Sequence, residues 1–210
     1  MPIARWRIIA LFFVHALAIG AIHTRIPDIQ LLVGLSESQL GLVLMGPAVG
    51  ALGTFLFSSR VIERFGPRAV ILGVLPVAII SAALITVLLH PVALFVLLMI
   101  NGIGFSLTNI AINVEADRIE AATEQRIMNR CHGAWSVGFL LTSLLGAALR
   151  GFDVSPALHM WALAPVAIAL LLIIVVPMPI VPPRAHAGAG RKRLAWPSWA
   201  TMGLGAFGLG

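Results

Sequence analysis

A chain of 210 residues that is 60% hydrophobic and only 10% charged, with a mean hydropathy of +1.02, has too few ionic side chains to coat a water-exposed surface, where about 25% is usual. This composition excludes an ordinary soluble domain and predicts an all-α polytopic membrane protein whose first partner is the lipid bilayer. The net charge of +6 falls between continuous apolar runs, so it predicts membrane orientation and no nucleic-acid partner, and the runs lack the alternation of a β-barrel.

About 20 apolar residues are needed to cross the hydrocarbon core. Six segments meet this: Ile8–Ile29, Leu40–Phe57, Ala69–Leu89, Val92–Val114, Ala134–Leu149 and Leu158–Val176. No small-residue cleavage site follows the first, so it reads as a retained span and not as a removed leader. Residues 1–176 thus form a six-helix bundle. Residues 177–198, rich in Pro, Gly and Arg, read as a flexible linker between bundles. A seventh span begins near Trp199, and 199–210 is its start.

The segment Ser59-Arg60-Val61-Ile62-Glu63-Arg64-Phe65-Gly66-Pro67-Arg68 holds three arginines between two apolar runs. Each would cost about 2.5–3.5 kcal/mol at the bilayer centre, so the segment is expected to be a tight loop at one membrane face. With the N-terminus inside, twelve Lys and Arg fall on inside segments, and only Arg25 and Arg150 fall outside. The loop and the N-terminus are therefore expected on the cytoplasmic side of a plasma membrane, the inner membrane of a bacterium. Residues 115–130 carry mixed charge and read as an amphipathic surface helix or a helix extension. On the second span, Gly46-xxx-Gly50 with Gly53 is expected to let a neighbouring helix approach. Pro47, Pro76 and Pro165 lie inside spans, where kinks are tolerated.

The 59–68 segment resembles the signature between the second and third helices of major facilitator superfamily transporters, Gly-x-x-x-Asp-Arg-x-Gly-Arg-Arg/Lys. Arg64, Gly66 and Arg68 match, while Ser59, Glu63 and Pro67 stand for Gly, Asp and a basic residue. Arg25-Ile26-Pro27, Asn113-Val114-Glu115 and Asn129-Arg130-x-His132-x-x-Trp135-Ser136-x-Gly138 resemble the fucose-permease-like branch. The resemblance implies the N-terminal half of a twelve-helix fold, two 3+3 inverted repeats of which this chain supplies one. The implied partners are a small-molecule solute and a second six-helix bundle, either further chain or a second copy. It also implies a gating role for Ser59, Glu63, Arg64, Gly66 and Arg68.

Polar residues within apolar spans are candidate pathway residues. The first span carries His15, His23, Arg25 and Asp28. Arg25 and Asp28, three apart, read equally as an interfacial ion pair or as a vestibule charge. His15 lies deep enough to be either a packed imidazole or a proton carrier. Asn101, Asn109 and Asn113, with Phe105 between, follow one slowly rotating stripe of the fourth span. In inverted-repeat transporters the first and fourth helices line the central site. Sugar–proton symporters of the resembling branch carry acids where this chain has His23 and Asn109, so proton coupling would fall to His23 or His15. His132, Trp135 and Ser136 are expected to begin the fifth helix. Trp135 is read either as an interface anchor or as a stacking platform.

No phosphate-cradling loop, His-Glu-x-x-His or Gly-x-Ser-x-Gly occurs. The lone Cys131 excludes an internal disulfide. Neither a cofactor, a metal nor an enzymatic activity is expected. The leading expectation is a secondary transporter, symporter or exporter, of a sugar-like or drug-like solute. The rivals are a non-transporting sensor or scaffold module and a half-size transporter acting as a homodimer.

Overall fold

The computed structural model describes residues 2–182, and every regular element among them is an α-helix. These are α1 (Pro2–His23), α2 (Ile26–Val33), α3 (Glu37–Thr54), α4 (Ser58–Phe65), α5 (Pro67–Ile85), α6 (Pro91–Thr123), α7 (Met128–Gly151) and α8 (Pro156–Val175). The expected seventh span, and the linker beyond residue 182, lie outside the described residues. Five helical segments among them are long and apolar enough to cross a membrane, α1 and α2 counting together as Ala4–Val33. The pair α3 and α4, bent by 61°, supplies a sixth if it crosses as one.

Helix starts follow from local chemistry. Proline opens α5, α6 and α8, where its missing N–H is no loss. Ser36 and Gln39 form a reciprocal capping box at α3, and the Ser155 hydroxyl accepts from the Leu158 N–H at 3.2 Å.

Three expected boundaries change, and of the two readings of 115–130 the helix extension holds through Thr123. The first span is broken at Thr24–Arg25, with Pro27 in the first turn of α2. The 59–68 segment is not a loop. It is helical through Phe65, because Ser58 and Ile62, four apart, bury one face of α4. The turn is reduced to Gly66, whose φ of 80° and ψ of 152° belong to a region open essentially to glycine alone. Residues 115–123 continue α6, whose 33 residues span about 50 Å and so overrun a hydrocarbon core of about 30 Å. Helix α7 starts at Met128, so His132, Trp135 and Ser136 lie within it. The Glu120 carboxylate accepts from the Ile127 and Met128 N–H groups, both at 3.2 Å, and so caps α7 from α6.

Helix α3 packs chiefly on α6, α1 on α7 and α5 on α6, while α8 lies against α1 and α5. Small residues permit close crossings of α3 on α6 and of α7 on α1. A Cβ on Gly46 would lie 2.7 Å from the Phe95 carbonyl oxygen, and one on Gly102 would lie 2.6 Å from Pro47 Cα. A Cβ on Gly50 would collide with the Met99 carbonyl oxygen. On the other side, Gly138, Thr142 and Gly146 are buried against α1. The Thr142 hydroxyl donates to the Leu17 carbonyl at 3.2 Å, and Gly146 abuts Thr24. Gly53, expected in the first set, has no neighbour within 4 Å.

At the N-terminal end of the bundle two arginines hold the end of α8. Arg7 donates to the Ile173 and Ile174 carbonyls at 2.9 and 3.0 Å, and Arg68 donates to the Val176 and Met178 carbonyls. Those of Ile173 and Ile174 are among the carbonyls a helix leaves unpaired, Val176 is the cap and Met178 lies just beyond, and cations are favoured at such an end.

Gly50→Ala and Gly102→Ala are each expected to cost about 1–3 kcal/mol by forcing α3 from α6. Gly53→Ala should be neutral or slightly stabilising, since alanine is favoured over glycine in a helix by about 1 kcal/mol. Thermal unfolding of the detergent-solubilised protein checks both.

Candidate functional site

A cavity of about 550 Å³ opens between α1, α3, α6 and α7. His23 comes from the end of α1, Asn101 and Phe105 from α6, and Trp135 and Phe139 from α7. Helix α3 adds Leu44, Pro47, Ala48 and Ala51. Among the described residues, none of the lining side chains is Asp, Glu, Lys or Arg. Trp135 and Phe139 stack with centroids 5.3 Å apart and planes 11° from parallel, a favourable offset aromatic pair. His23 is tilted against Phe139 at 6.3 Å. Its Nδ1 lies 2.8 Å from the Ile19 carbonyl, so Nδ1 donates and Nε2 is left as an acceptor on the neutral ring. The Asn101 amide donates to the Ala78 carbonyl at 3.0 Å, tying α6 to α5.

His15 lies behind this wall and is fully buried. Its Nδ1 accepts from the Trp135 indole N–H at 3.2 Å. Its ring stacks on Phe105 at 5.1 Å, with planes 5° from parallel. His15 thus joins α1, α6 and α7 and positions two cavity residues without itself lining the cavity. The acceptor role requires an unprotonated Nδ1, so the ring hydrogen sits on Nε2.

The other expected pathway residues lie elsewhere. Asn109 and Asn113 do not line the cavity. Asn113 donates to the Asn109 carbonyl at 2.8 Å and to its side chain at 3.3 Å. His132 is exposed, its ring edge-on to Phe12 at 5.4 Å, and the Ser136 hydroxyl turns back to the His132 carbonyl at 3.0 Å. Phe139 and the small residues of α3 were not legible as site residues, because neither is polar.

Arg25 belongs to a second cluster at the opposite end from Arg7 and Arg68. It is 1% exposed. Its Nη1 donates to Asp28 at 3.1 Å and its Nε to Nδ1 of His159 at 3.1 Å. Asp28 also pairs with Arg150 at 2.8 Å. These contacts clamp the α1–α2 break to α7 and α8, and the expected Arg25–Asp28 pair is its core. Asp28, Arg150 and Arg25 line a separate crevice of about 400 Å³.

In the signature segment, Ser59, Glu63 and Arg64 are exposed. Arg64 rests over the Phe65 ring at 5.4 Å. Gly66 and Arg68 line a crevice of about 320 Å³ with Glu115 and Arg118. Glu115 is buried and lies 4.0 Å from Arg118 on the next turn of α6.

Apolar helices crossing back and forth around a central cavity define a multi-pass helical membrane protein. The profile of the Major Facilitator Superfamily matches residues 8–209, and the chain belongs to that family of membrane transporters. It is 26% identical over 161 residues to an uncharacterized MFS-type transporter of Yersinia pestis, a match covering 77% of this chain and 42% of that protein. It is also 26% identical over 159 residues to an uncharacterized transporter of Sinorhizobium fredii, covering 73% of this chain and 41% of the other. The chain thus spans about two fifths of the curated relatives it matches. No solved structure matches it.

Asp28→Asn leaves the Arg25 guanidinium buried without its carboxylate and is expected to cost about 3–5 kcal/mol. Arg150→Ala, at a half-exposed position, should stay within about 1 kcal/mol. Unfolding midpoints of the two purified variants check the contrast.

Proposed function

We propose that this bundle is the N-terminal half of a secondary transporter that moves a small solute, sugar-like or drug-like, by alternating access. The observation that carries the reading is the cavity, where His23, Asn101 and Trp135 converge from α1, α6 and α7. Intramembrane polar groups that face a cavity mark solute or ion pathways. A 3+3 repeat is supported by the packing, in which α3 meets α6 through Gly50 and Gly102 while α7 meets α1 through Gly138 and Gly146. The coverage of about two fifths of each relative supports a partner bundle that completes the cavity.

In this reading the bundle lies in a bacterial inner membrane with the N-terminus cytoplasmic, as the distribution of arginines favours. The exposed Glu63 at the end of α4 would meet the positive end of a helix in the second bundle and hold one conformation. The short motifs Arg25-Ile26-Pro27 and Asn113-Val114-Glu115 support a reading in the fucose-permease-like branch. His23, a lining residue whose Nδ1 is taken by the Ile19 carbonyl and whose Nε2 is left for a proton, is the residue best placed for proton coupling.

The test is counterflow in proteoliposomes containing this bundle together with its second bundle, as the full-length protein, across a panel of sugars and drug-like solutes, with and without a pH gradient. Flux of at least one solute is expected. Asn101→Ala and Trp135→Ala should each reduce it by about tenfold, the loss of roughly one hydrogen bond or stacking contact. Absence of flux for every solute, in both conditions, contradicts transport.

A further inference from the structure

The cavity lining restricts what can bind there. Trp135 and Phe139 present one stacked aromatic wall, and Phe105, backed by the His15 ring, presents a second on the neighbouring helix. The volume of about 550 Å³ that they help to line falls in the range of pockets that take drug-sized ligands. The polar capacity is small. The Trp135 N–H is already taken by His15, and the Asn101 amide is partly taken by the Ala78 carbonyl. Beyond these bonds, the polar atoms left over are the Asn101 carbonyl oxygen and Nε2 of His23. Among the described residues the lining offers no Asp, Glu, Lys or Arg to neutralise an ion, and burying an unpaired charge is costly.

We infer that the solute is an uncharged, planar aromatic molecule with only one or two hydrogen-bonding groups, an inference that rests on the cavity being the transport site and on this bundle supplying the contacts that select the solute. The ring slides between the Phe105 and Trp135–Phe139 walls, which stack on any π-face. One polar edge meets Asn101 and His23, fixing the ring's orientation. A sugar is selected against. It carries a hydroxyl on nearly every carbon, and most of these would be buried without partners, which lowers affinity with each one. Organic anions and cations are selected against by the missing counter-charge.

The test is ligand-induced thermal stabilisation of the full chain in detergent. The probes are the planar lactam 2-quinolone, fucose, benzoate and tetraphenylphosphonium, each run at equal concentration. Stabilisation by 2-quinolone alone is expected. Its apparent affinity should fall about tenfold in Trp135→Ala, the scale of one aromatic stack with its buried area. Trp135→Phe keeps a stacking face and should lose less than Trp135→Ala, which separates loss of the wall from loss of the fold. Stabilisation by fucose or by either ion in preference to 2-quinolone overturns the inference, as does equal 2-quinolone affinity in both Trp135 variants and the parent. Counterflow of a hexose overturns the solute class while leaving transport standing. Binding of 2-quinolone with no counterflow of any solute leaves the class standing and removes transport.

Discussion

The hydrogen bond from the Trp135 indole to His15 decides which surfaces the central cavity presents. His15 is fully buried between three helices, and in that low-dielectric setting an unpaired polar group is costly. Accepting from Trp135 ties α7 to α1, and stacking on Phe105 sets the facing wall on α6. That bond pairs Nδ1 only, since Nε2 is buried with no partner among the described residues, so the cost of placing an imidazole inside an apolar span is met in part and goes with the order it imposes on two aromatic walls. Trp135, held in this way, supports Phe139 by stacking, and Phe139 supports His23.

Around that centre, the two ends of the bundle are closed by charge. At one end Arg7 and Arg68 satisfy carbonyls at and just beyond the end of α8. At the other, Arg25, Asp28, Arg150 and His159 form a network across the break in the first span. The middle is held by small residues that let backbones meet, the usual means of helix association where the surroundings are as apolar as the side chains. Polar and ionic closure at the ends, with glycine contacts in the middle, leaves the central face of α1, α3, α6 and α7 free to form a cavity.

Much of this was legible in the sequence, because apolar runs of membrane-crossing length have few alternatives. The helix class follows from the runs, which led to six expected crossings where the described residues hold five, or six if the bent pair crosses as one. Boundaries were less legible, since helices continue past the hydrocarbon. Helix α6 reaches Thr123, α7 begins at Met128, and the segment 59–68 is mostly helix. Its arginines argued against burial, but Ser58 and Ile62 already carried a helical spacing. The site was legible only in part. His23, Asn101 and Trp135 stand out as polar or amphipathic groups in apolar runs. Spacing along one helix defines a stripe but not its tertiary partner, so Asn109 and Asn113 looked equivalent to Asn101, yet they bond to each other. The contribution of α3 is made by Pro47, Ala48 and Ala51, which carry no chemical signal. Arg25 looked like a vestibule charge as readily as a clamp, because His159 and Arg150 lie more than a hundred residues away in sequence.

The central claim is that the face between α1, α3, α6 and α7 is a solute-accessible path and not a lipid-facing groove. Thiol accessibility in native membranes tests it most directly. In a Cys131→Ser background a single cysteine is placed at Ala48, on the cavity wall, or at Ile80, on the outer face of α5. A membrane-impermeant maleimide is then applied from both sides. The account predicts modification at position 48 and none at position 80. Equal silence at both positions, or modification at 80 alone, would contradict it.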